Sequence, residues 1–337
     1  MKTIGAHKFY PIDYPHSLEE WDAPIPTPTE YDLLVAVKAI SVNPADCRMR
    51  QRIEEGSAPT VLGWDVSGVV TGVGALVDNF KPGDEVFYAG ALNRPGCNSE
   101  YHLVDARLVG KKPQTLDHAH AAAMPLTSLT AWEALFERLQ LPLTGAPIKR
   151  SLLIIGAAGG VGSMAIQLAR QVPGLSIIAT ASRPESQQWV SDLGAHAVIN
   201  HSDELAPQLK NIGYDSVDCI FCLNTPDDYW ETMSQIIAPQ GKICGIVPFV
   251  KAQDMNLLFM KGVTFLWELM FTRSLFHTVD MAKQGDILNS VAALVDAGSL
   301  RSTLKQIIGP ISADNLKKAH AQLESQQTLG KLVLEGF

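Results

Sequence analysis

No run of this sequence is long and apolar enough to span a bilayer. The longest oily stretch, residues 256–271, is broken by Lys261 and Glu268, whereas a spanning helix needs about 20 apolar residues. Met1 to Tyr10 lacks the apolar core of a secretory signal. Cysteine is scarce as well. The five residues Cys47, Cys97, Cys219, Cys222 and Cys244 are odd in number and irregularly spaced, which argues against a disulfide framework. Cys219 and Cys222 form a Cys-x-x-Cys, but inside the apolar run from Asp218 to Leu223. Strand residues three apart point to opposite faces, so buried structural thiols are expected there rather than a redox or metal pair. Positive charge is short too: 27 Lys and Arg against 35 Asp and Glu leave a net charge of −8. A general nucleic-acid binder would need clustered Lys and Arg. The expectation is a soluble, cytoplasmic protein without a membrane or nucleic-acid partner.

What is present fits a globular protein of two domains: 337 residues, 46% hydrophobic and 18% charged. The first 120 or so residues read as β-rich. Asp32 to Ile40 alternates apolar and polar side chains as a half-buried strand does. Val66 to Val73 and Asp84 to Ala89 are further strands, with glycines and Pro82 punctuating them. The pattern changes near His118, where helix formers take over and Pro125 starts or interrupts a helix. From Ser151 strands and helices alternate, at 151–155, 161–171, 176–181, 185–193, 197–199, 218–223 and 242–247, as in a parallel, doubly wound sheet. Beyond residue 270 the alternation ends, and that tail could return to complete the first domain.

The strongest chemical signal is the turn Gly156-Ala157-Ala158-Gly159-Gly160-Val161-Gly162 between an apolar strand and a helix. Small residues let a backbone turn sharply and approach a pyrophosphate, and the helix start offers free N–H groups. Gly156, Ala158, Gly159, Gly160, Val161 and Gly162 are therefore cofactor candidates, against the plainer reading of a tight βα turn with no ligand. An NAD site commonly carries Asp or Glu about 20 residues further on. The next strand here ends in Ala181-Ser182-Arg183 with no carboxylate at its tip. Ser182 and Arg183 suit a 2′-phosphate instead, so NADPH is the expected cofactor, against the plainer reading of Arg183 as an ordinary solvated loop residue. His201, after the following strand, is placed beside the same phosphate. Leu223, Asn224, Gly245 and Ile246 end later strands, where backbone faces the ligand.

Several segments spread along the chain carry a resemblance. They are Ser41-Val42-Asn43-Pro44-Ala45-Asp46, Gly63-Trp64-Asp65-Val66-Ser67-Gly68, Lys81-Pro82-Gly83-Asp84-Glu85-Val86, Ala121 to Leu135, the glycine turn, and the ending from Gly330 to Phe337. Together they resemble the medium-chain dehydrogenase/reductase superfamily, in its quinone oxidoreductase-like branch and its zinc-type alcohol dehydrogenase-like subgroup. The resemblance implies an α/β protein: a GroES-like catalytic domain of residues 1–124 and 270–337, with a Rossmann domain of residues 125–269 inserted. It also implies a nicotinamide cleft between the domains and a homodimer, for which residues 262–269 are a candidate edge. It makes Asn43 a candidate for positioning substrate or nicotinamide ribose, and Thr127 and Lys331 cofactor contacts.

The zinc-dependent relatives place Cys, His-Glu and Cys where Asn43, Trp64-Asp65 and Leu126 stand here. Catalytic zinc needs about three nitrogen, sulfur or oxygen ligands, and of these only Asp65 could serve, so no metal is expected. Without a Lewis acid the substrate must already be electrophilic, which points to a quinone, enone or aldehyde, with hydride supplied by the cofactor. A donor should stabilise the oxyanion that forms. Tyr88 is the candidate proton donor, though a core tyrosine fits equally. Arg48, Trp64, Met270 and Phe271 are candidate pocket residues, and Asp46 and Asp65 read as structural. Two rivals remain: an NADPH-dependent aldehyde or ketone reductase or alcohol dehydrogenase, and a non-enzymatic NADPH-binding protein.

Overall fold

Alternation beginning at Leu33 builds an 11-residue strand in which every second side chain as far as Val37 is buried. The computed structural model describes residues 1–56 and 58–337. The chain separates into two units, residues 1–129 with 271–337, and residues 130–270. The N-terminal part of the first unit contains β1 (Lys2–Ala6), β2 (Glu19–Asp22), β3 (Asp32–Val42), β4 (Thr60–Val61), β5 (Val66–Val73), β6 (Glu85–Tyr88), β7 (Tyr101–Asp105) and β8 (Gly110–Lys111). Helix α1 (Pro44–Arg50) follows β3, and α2 (His118–Ala122) and α3 (Pro125–Trp132) follow β8. Both α1 and α3 begin on a proline. That ring lacks an N–H and is fixed near helical φ, so the first turn suits it.

The second unit runs β9 (Arg150–Ile155), α4 (Gly160–Ala169), β10 (Leu175–Thr180), α5 (Pro184–Asp192), β11 (Ala197–Ile199), α6 (Leu205–Asn211), β12 (Val217–Cys222), α7 (Trp230–Ile236), β13 (Ile237–Gly245) and β14 (Thr264–Trp267). The strands are parallel, in the order β11-β10-β9-β12-β13-β14. This is the doubly wound order in which ligands bind outside the strands' carboxyl ends, where the winding reverses. Here the reversal lies between β9 and β12. Leu153, Ile155, Ile178, Ile220, Ile243, Trp230 and Met233 form a core that is 2% exposed or less. Lys261 closes the end of α7 by donating from Nζ to the carbonyls of Ser234 (2.9 Å), Gln235 (2.6 Å) and Ile237 (2.8 Å), satisfying acceptors that a helix end leaves open.

The remaining chain supplies α8 (Thr272–Leu275), α9 (Lys283–Asp296), β15 (Leu304–Gly309), α10 (Ala313–Glu324) and β16 (Lys331–Glu335). β16 pairs antiparallel with β3, Leu332 opposite Val42, and parallel with β15. The C-terminal strands thus share one seven-stranded sheet with β3 and β5 to β8, ordered β15-β16-β3-β5-β6-β8 with β7 also on β3. A second sheet, β2-β1-β4, completes this unit. The architecture is a GroES-like domain with a Rossmann domain inserted. No helix among the described residues is long and apolar enough to cross a membrane.

Candidate cofactor and active site

The glycine turn follows β9 at the reversal point of the second unit's sheet. Gly156 has φ +82°, and a side chain there would meet Asn224 Oδ1 at 2.3 Å, so glycine is required both by conformation and by space. Leu223 N donates to Ile155 O (3.0 Å), and Ile246 N donates to Cys222 O (3.3 Å). Gly156, Leu223, Asn224, Gly245 and Ile246 therefore end three neighbouring strands. Gly162 packs α4 against the turn: a Cβ would lie 2.3 Å from Ala157 O and 2.5 Å from its Cα. Gly159 differs. It is the residue before α4, with φ −74°, and the nearest atom to an added Cβ is Gly156 O at 4.0 Å. Ala158, Gly159, Gly160 and Val161 are half-buried, so the start of α4 is an open cradle. Its first N–H groups have no carbonyl within the helix, which suits a pyrophosphate.

The tip of β10 adjoins this cradle through Thr180, a residue the sequence reading missed. Its hydroxyl accepts from Gly156 N (2.9 Å) and lies 3.2 Å from His201 Nδ1. Burial lowers the His201 pKa, the Thr180 hydrogen bond opposes this, and the Arg183 charge lowers it further. Glycine turn, imidazole and guanidinium thus form one polar neighbourhood. Ser182 is half-buried and Arg183 exposed. The available signal was a threonine two residues ahead of Ser182-Arg183, where a strand end places a short hydroxyl under the turn.

In the first unit, Asn43, Asp46, Asp65 and Lys331 are each 3% exposed or less. Asp65 Oδ2 accepts from Lys331 Nζ (3.0 Å) and Asn43 Nδ2 (2.8 Å), and Oδ1 accepts from Leu126 N (2.8 Å). Lys331 Nζ also donates to Val42 O (2.8 Å) and to Asn43 Oδ1. Asp46 Oδ2 accepts from Asn43 N, and burial pushes the Asp46 carboxyl up to about 7. Burial likewise raises the Asp65 pKa, opposed first by Lys331. One ammonium thus ties β16, the N-cap of α1, the loop before β5 and the start of α3 together.

This network corrects two expectations. Lys331 has three acceptors for its three N–H groups and is buried, so no donor remains for a cofactor. Both ends of the Asn43 amide are held inside the protein, Nδ2 by Asp65 and Oδ1 by Lys331, so it organises the network. Tyr88 is corrected as well. It is 0% exposed, its hydroxyl lies 3.0 Å from His102 Nδ1, and His102 Nε2 lies 3.0 Å from Pro95 O. That carbonyl requires a proton on Nε2, leaving Nδ1 to accept from Tyr88. Burial lowers His102 to about 4 and raises the tyrosine, so Tyr88 is an interior hydrogen-bond donor, not a proton source for bound substrate. Thr127 is buried, with Oγ1 donating to Met124 O (3.0 Å), which leaves its lone pairs free to accept. Trp64 and Phe271 do meet, edge to face at 6.4 Å, with Trp64 Nε1 donating to Ala91 O (3.2 Å). Arg48 is exposed on α1, and Met270 is buried in the second unit.

Residues 29–114 match the alcohol dehydrogenase GroES-like domain, and residues 193–334 match zinc-binding dehydrogenase. A zinc-type alcohol dehydrogenase-like protein of Staphylococcus aureus is 41% identical, over 99% of each chain. The chain belongs to the medium-chain dehydrogenase/reductase superfamily, in its quinone oxidoreductase-like branch. A crystal structure from Rhizobium etli, assigned as a zinc-dependent alcohol dehydrogenase, superposes with TM-score 0.95 at 49% identity, covering 100% of this chain and 98% of that one. An NADPH-dependent alkenal/one oxidoreductase of Arabidopsis thaliana is 30% identical over 92% of this chain and 73% of its own. This medium-chain dehydrogenase/reductase is an oxidoreductase of a pyridine nucleotide-dependent family.

Zinc does not fit these residues. The four positions offer an amide, an indole, an alkyl chain and one carboxylate, and that carboxylate already holds a buried ammonium. A dication beside Lys331 would face like charge in a site of low polarity, without thiolate or imidazole. Among the described residues, no group of three or more His, Cys, Asp or Glu could hold a metal ion.

Proposed function

We propose that this medium-chain dehydrogenase/reductase is a zinc-independent, NADPH-dependent oxidoreductase that reduces quinones or α,β-unsaturated carbonyls. The observation that carries the reading is that Asn43 and Asp65, which stand where zinc-dependent relatives carry ligands, are instead held by the buried ammonium of Lys331. With no Lewis acid to polarise a simple carbonyl, the substrate must bring its own electrophilic carbon. Bound nicotinamide supplies a hydride to that carbon. Gly156 to Gly162 would hold the pyrophosphate, and Thr127 would accept from the nicotinamide side. Ser182, Arg183 and His201, around Thr180, would hold a 2′-phosphate, and the absence of a carboxylate at the tip of β10 supports NADPH. Trp64 and Phe271 would line the apolar side of the substrate site. The Arabidopsis relative, named for NADPH and alkenals or enones, supports the same class.

The cofactor half has a direct test. Arg183→Ala is expected to raise KM for NADPH about tenfold or more, a loss of about 1.4 kcal/mol of binding, while KM for NADH stays within about twofold. Equal effects on both cofactors would refute a 2′-phosphate site at Arg183.

We also infer a homodimer. Edge strand β14 has two exposed side chains among its four, and Phe259, Met260, Trp267 and Leu269 nearby are 45–89% exposed. Such clustered apolar exposure beside an open strand edge marks a contact surface. Sedimentation equilibrium should give twice the 36.5 kDa chain mass, and a single-chain mass would refute the dimer.

A further inference from the structure

Helices α4 and α5 begin at the two ends of the candidate cofactor site, and a hydrogen bond joins them. Trp189 Nε1 donates to Ser163 Oγ (2.9 Å), and Ser163 Oγ donates to Gly159 O (2.7 Å). An indole N–H can only donate, whereas a hydroxyl has one proton and two lone pairs, so the chain runs from indole to hydroxyl to carbonyl. Ser163 N donates to the same carbonyl (2.9 Å). Ser163 is 0% exposed and Trp189 is half-buried. A serine bonded to the carbonyl four residues back is ordinary in a helix. An indole arriving from a second helix is no part of that local pattern.

The carbonyl of Gly159 bears on the phosphate cradle. A peptide group is planar and trans, so Gly159 O and the Gly160 N–H point opposite ways. Two donors from Ser163 hold the carbonyl along α4. The N–H of Gly160, the first residue of α4, therefore faces out of the helix as one of its free donors.

The other end of the bond reaches the tip of β10. Trp189 lies three residues beyond Ser186, on the same face of α5, and Ser186 and Val190 are buried. Ser186 Oγ accepts from Arg183 N (3.1 Å) and donates to Arg183 O (2.8 Å), and Gln187 Nε2 donates to Ala181 O (3.2 Å). The first turn of α5 thus holds residues 181–183, the loop that carries Ser182 and Arg183. Trp189 anchors that same helix to α4.

We propose that Trp189 and Ser163 are positioning residues for the dinucleotide: their bond fixes the loop of Ser182 and Arg183 relative to the Gly159–Gly160 peptide, so that a 2′-phosphate and a pyrophosphate are met at one separation. Selection of NADPH then depends on a side chain of α5 that itself touches no phosphate. The hydrogen bond does not depend on the functional reading. Its effect on cofactor choice rests on that reading, through the glycine turn and Ser182-Arg183.

The test measures Kd for NADPH and NADH with the whole protein, beside kcat and KM. Loss of one such hydrogen bond corresponds to about a three- to tenfold change. Trp189→Phe keeps an aromatic ring without the N–H. It should raise Kd and KM for NADPH by that factor, with kcat and the NADH values within about twofold. In an Arg183→Ala background the same substitution should change NADPH binding by less than about twofold, because the loop no longer has a phosphate contact to place. Ser163→Ala should weaken NADPH at least as much, and NADH to a smaller degree, since Gly159 O loses its hydroxyl donor. That variant covers the case in which Trp189→Phe folds poorly. The Trp189 indole N–H, identified in NMR spectra by its absence from Trp189→Phe, should exchange slowly in the wild type and faster in Ser163→Ala. Exchange at the rate of a free indole in the wild type would overturn the bond. A wild type that prefers NADPH through Arg183, with Trp189→Phe weakening both cofactors alike or adding in full to Arg183→Ala, would overturn the positioning role and leave the functional reading standing. Equal affinity of the wild type for NADPH and NADH, unchanged in Arg183→Ala, would defeat the reading of Arg183 itself, and the selectivity role with it.

Discussion

Replacing Lys331 with Met is expected to destabilise the first unit by about 3–5 kcal/mol, because it leaves a buried carboxylate without its cation. Asp65 is 0% exposed and Asp46 is 1% exposed, so the charge left behind has no access to water. Asp65 would respond by taking up a proton, since burial already raises its pKa and Lys331 is the first influence opposing that rise. The Asp65→Asn, Lys331→Met double variant removes both charges, and most of the lost stability should return. Amide at residue 65 can still meet Leu126 N or Asn43, and apolar replacement of a buried pair is often close to neutral. Denaturant midpoints for the two single variants and the double variant measure this as a coupling energy. A Lys331→Met midpoint within about 0.5 kcal/mol of wild type would mean that the ammonium does not hold the four segments together. Recovery in the double variant separates an electrostatic cross-link from mere loss of volume.

The second large effect concerns the glycine turn, where two glycines should fail for different reasons. An alanine Cβ at Gly162 would fall 2.3 Å from Ala157 O and 2.5 Å from its Cα. Both are backbone atoms, so either the turn or α4 must move. Gly162→Ala should therefore lose about 1–3 kcal/mol of stability and more than tenfold in cofactor affinity. At Gly159 the backbone suits any residue and the nearest atom lies 4.0 Å from the new Cβ. Gly159→Ala should melt like wild type yet bind NADPH at least about tenfold more weakly, because the methyl would occupy space reserved for phosphate. Thermal melts with and without NADPH check both. Unchanged affinity in a stable Gly159→Ala protein would move the pyrophosphate away from this turn.

How much of this was legible in the sequence depends on distance along the chain. The glycine turn could be read because strand, turn and helix are contiguous and each glycine has a local reason. Strands β5 and β11 were expected at their observed bounds, since alternation and flanking turns are also local. β13 begins at Ile237, five residues earlier than the expected 242. Pro239 and Gly241 interrupt the apolar pattern there, but Gln240 takes φ +62° and a register shift against β12 absorbs the irregularity. The lysine network joins residues 42, 43, 65, 126 and 331, and nothing near Lys331 in the sequence announces Asp65. Its presence in the interior follows from the pairing of β16 with β3, which brings strands almost 300 residues apart into one sheet. Glu268 was visible only as a charge interrupting an apolar stretch. Its ion-pair partner Arg138 lies 130 residues earlier, and only the folded unit brings the two together. Tyr88 shows the opposite failure: a residue type suited to proton transfer whose hydroxyl the fold turns inward to His102.

The central claim, hydride reduction of an activated carbonyl without a metal, is tested most directly by NADPH oxidation against a quinone, an enone, an aldehyde and an alcohol run in reverse. Each would be assayed before and after exhaustive chelation. Reduction of the quinone or enone that favours NADPH over NADH and survives the chelator is the expected result. Activity confined to the aldehyde or alcohol, and abolished by the chelator, would contradict it and return the site to a metal.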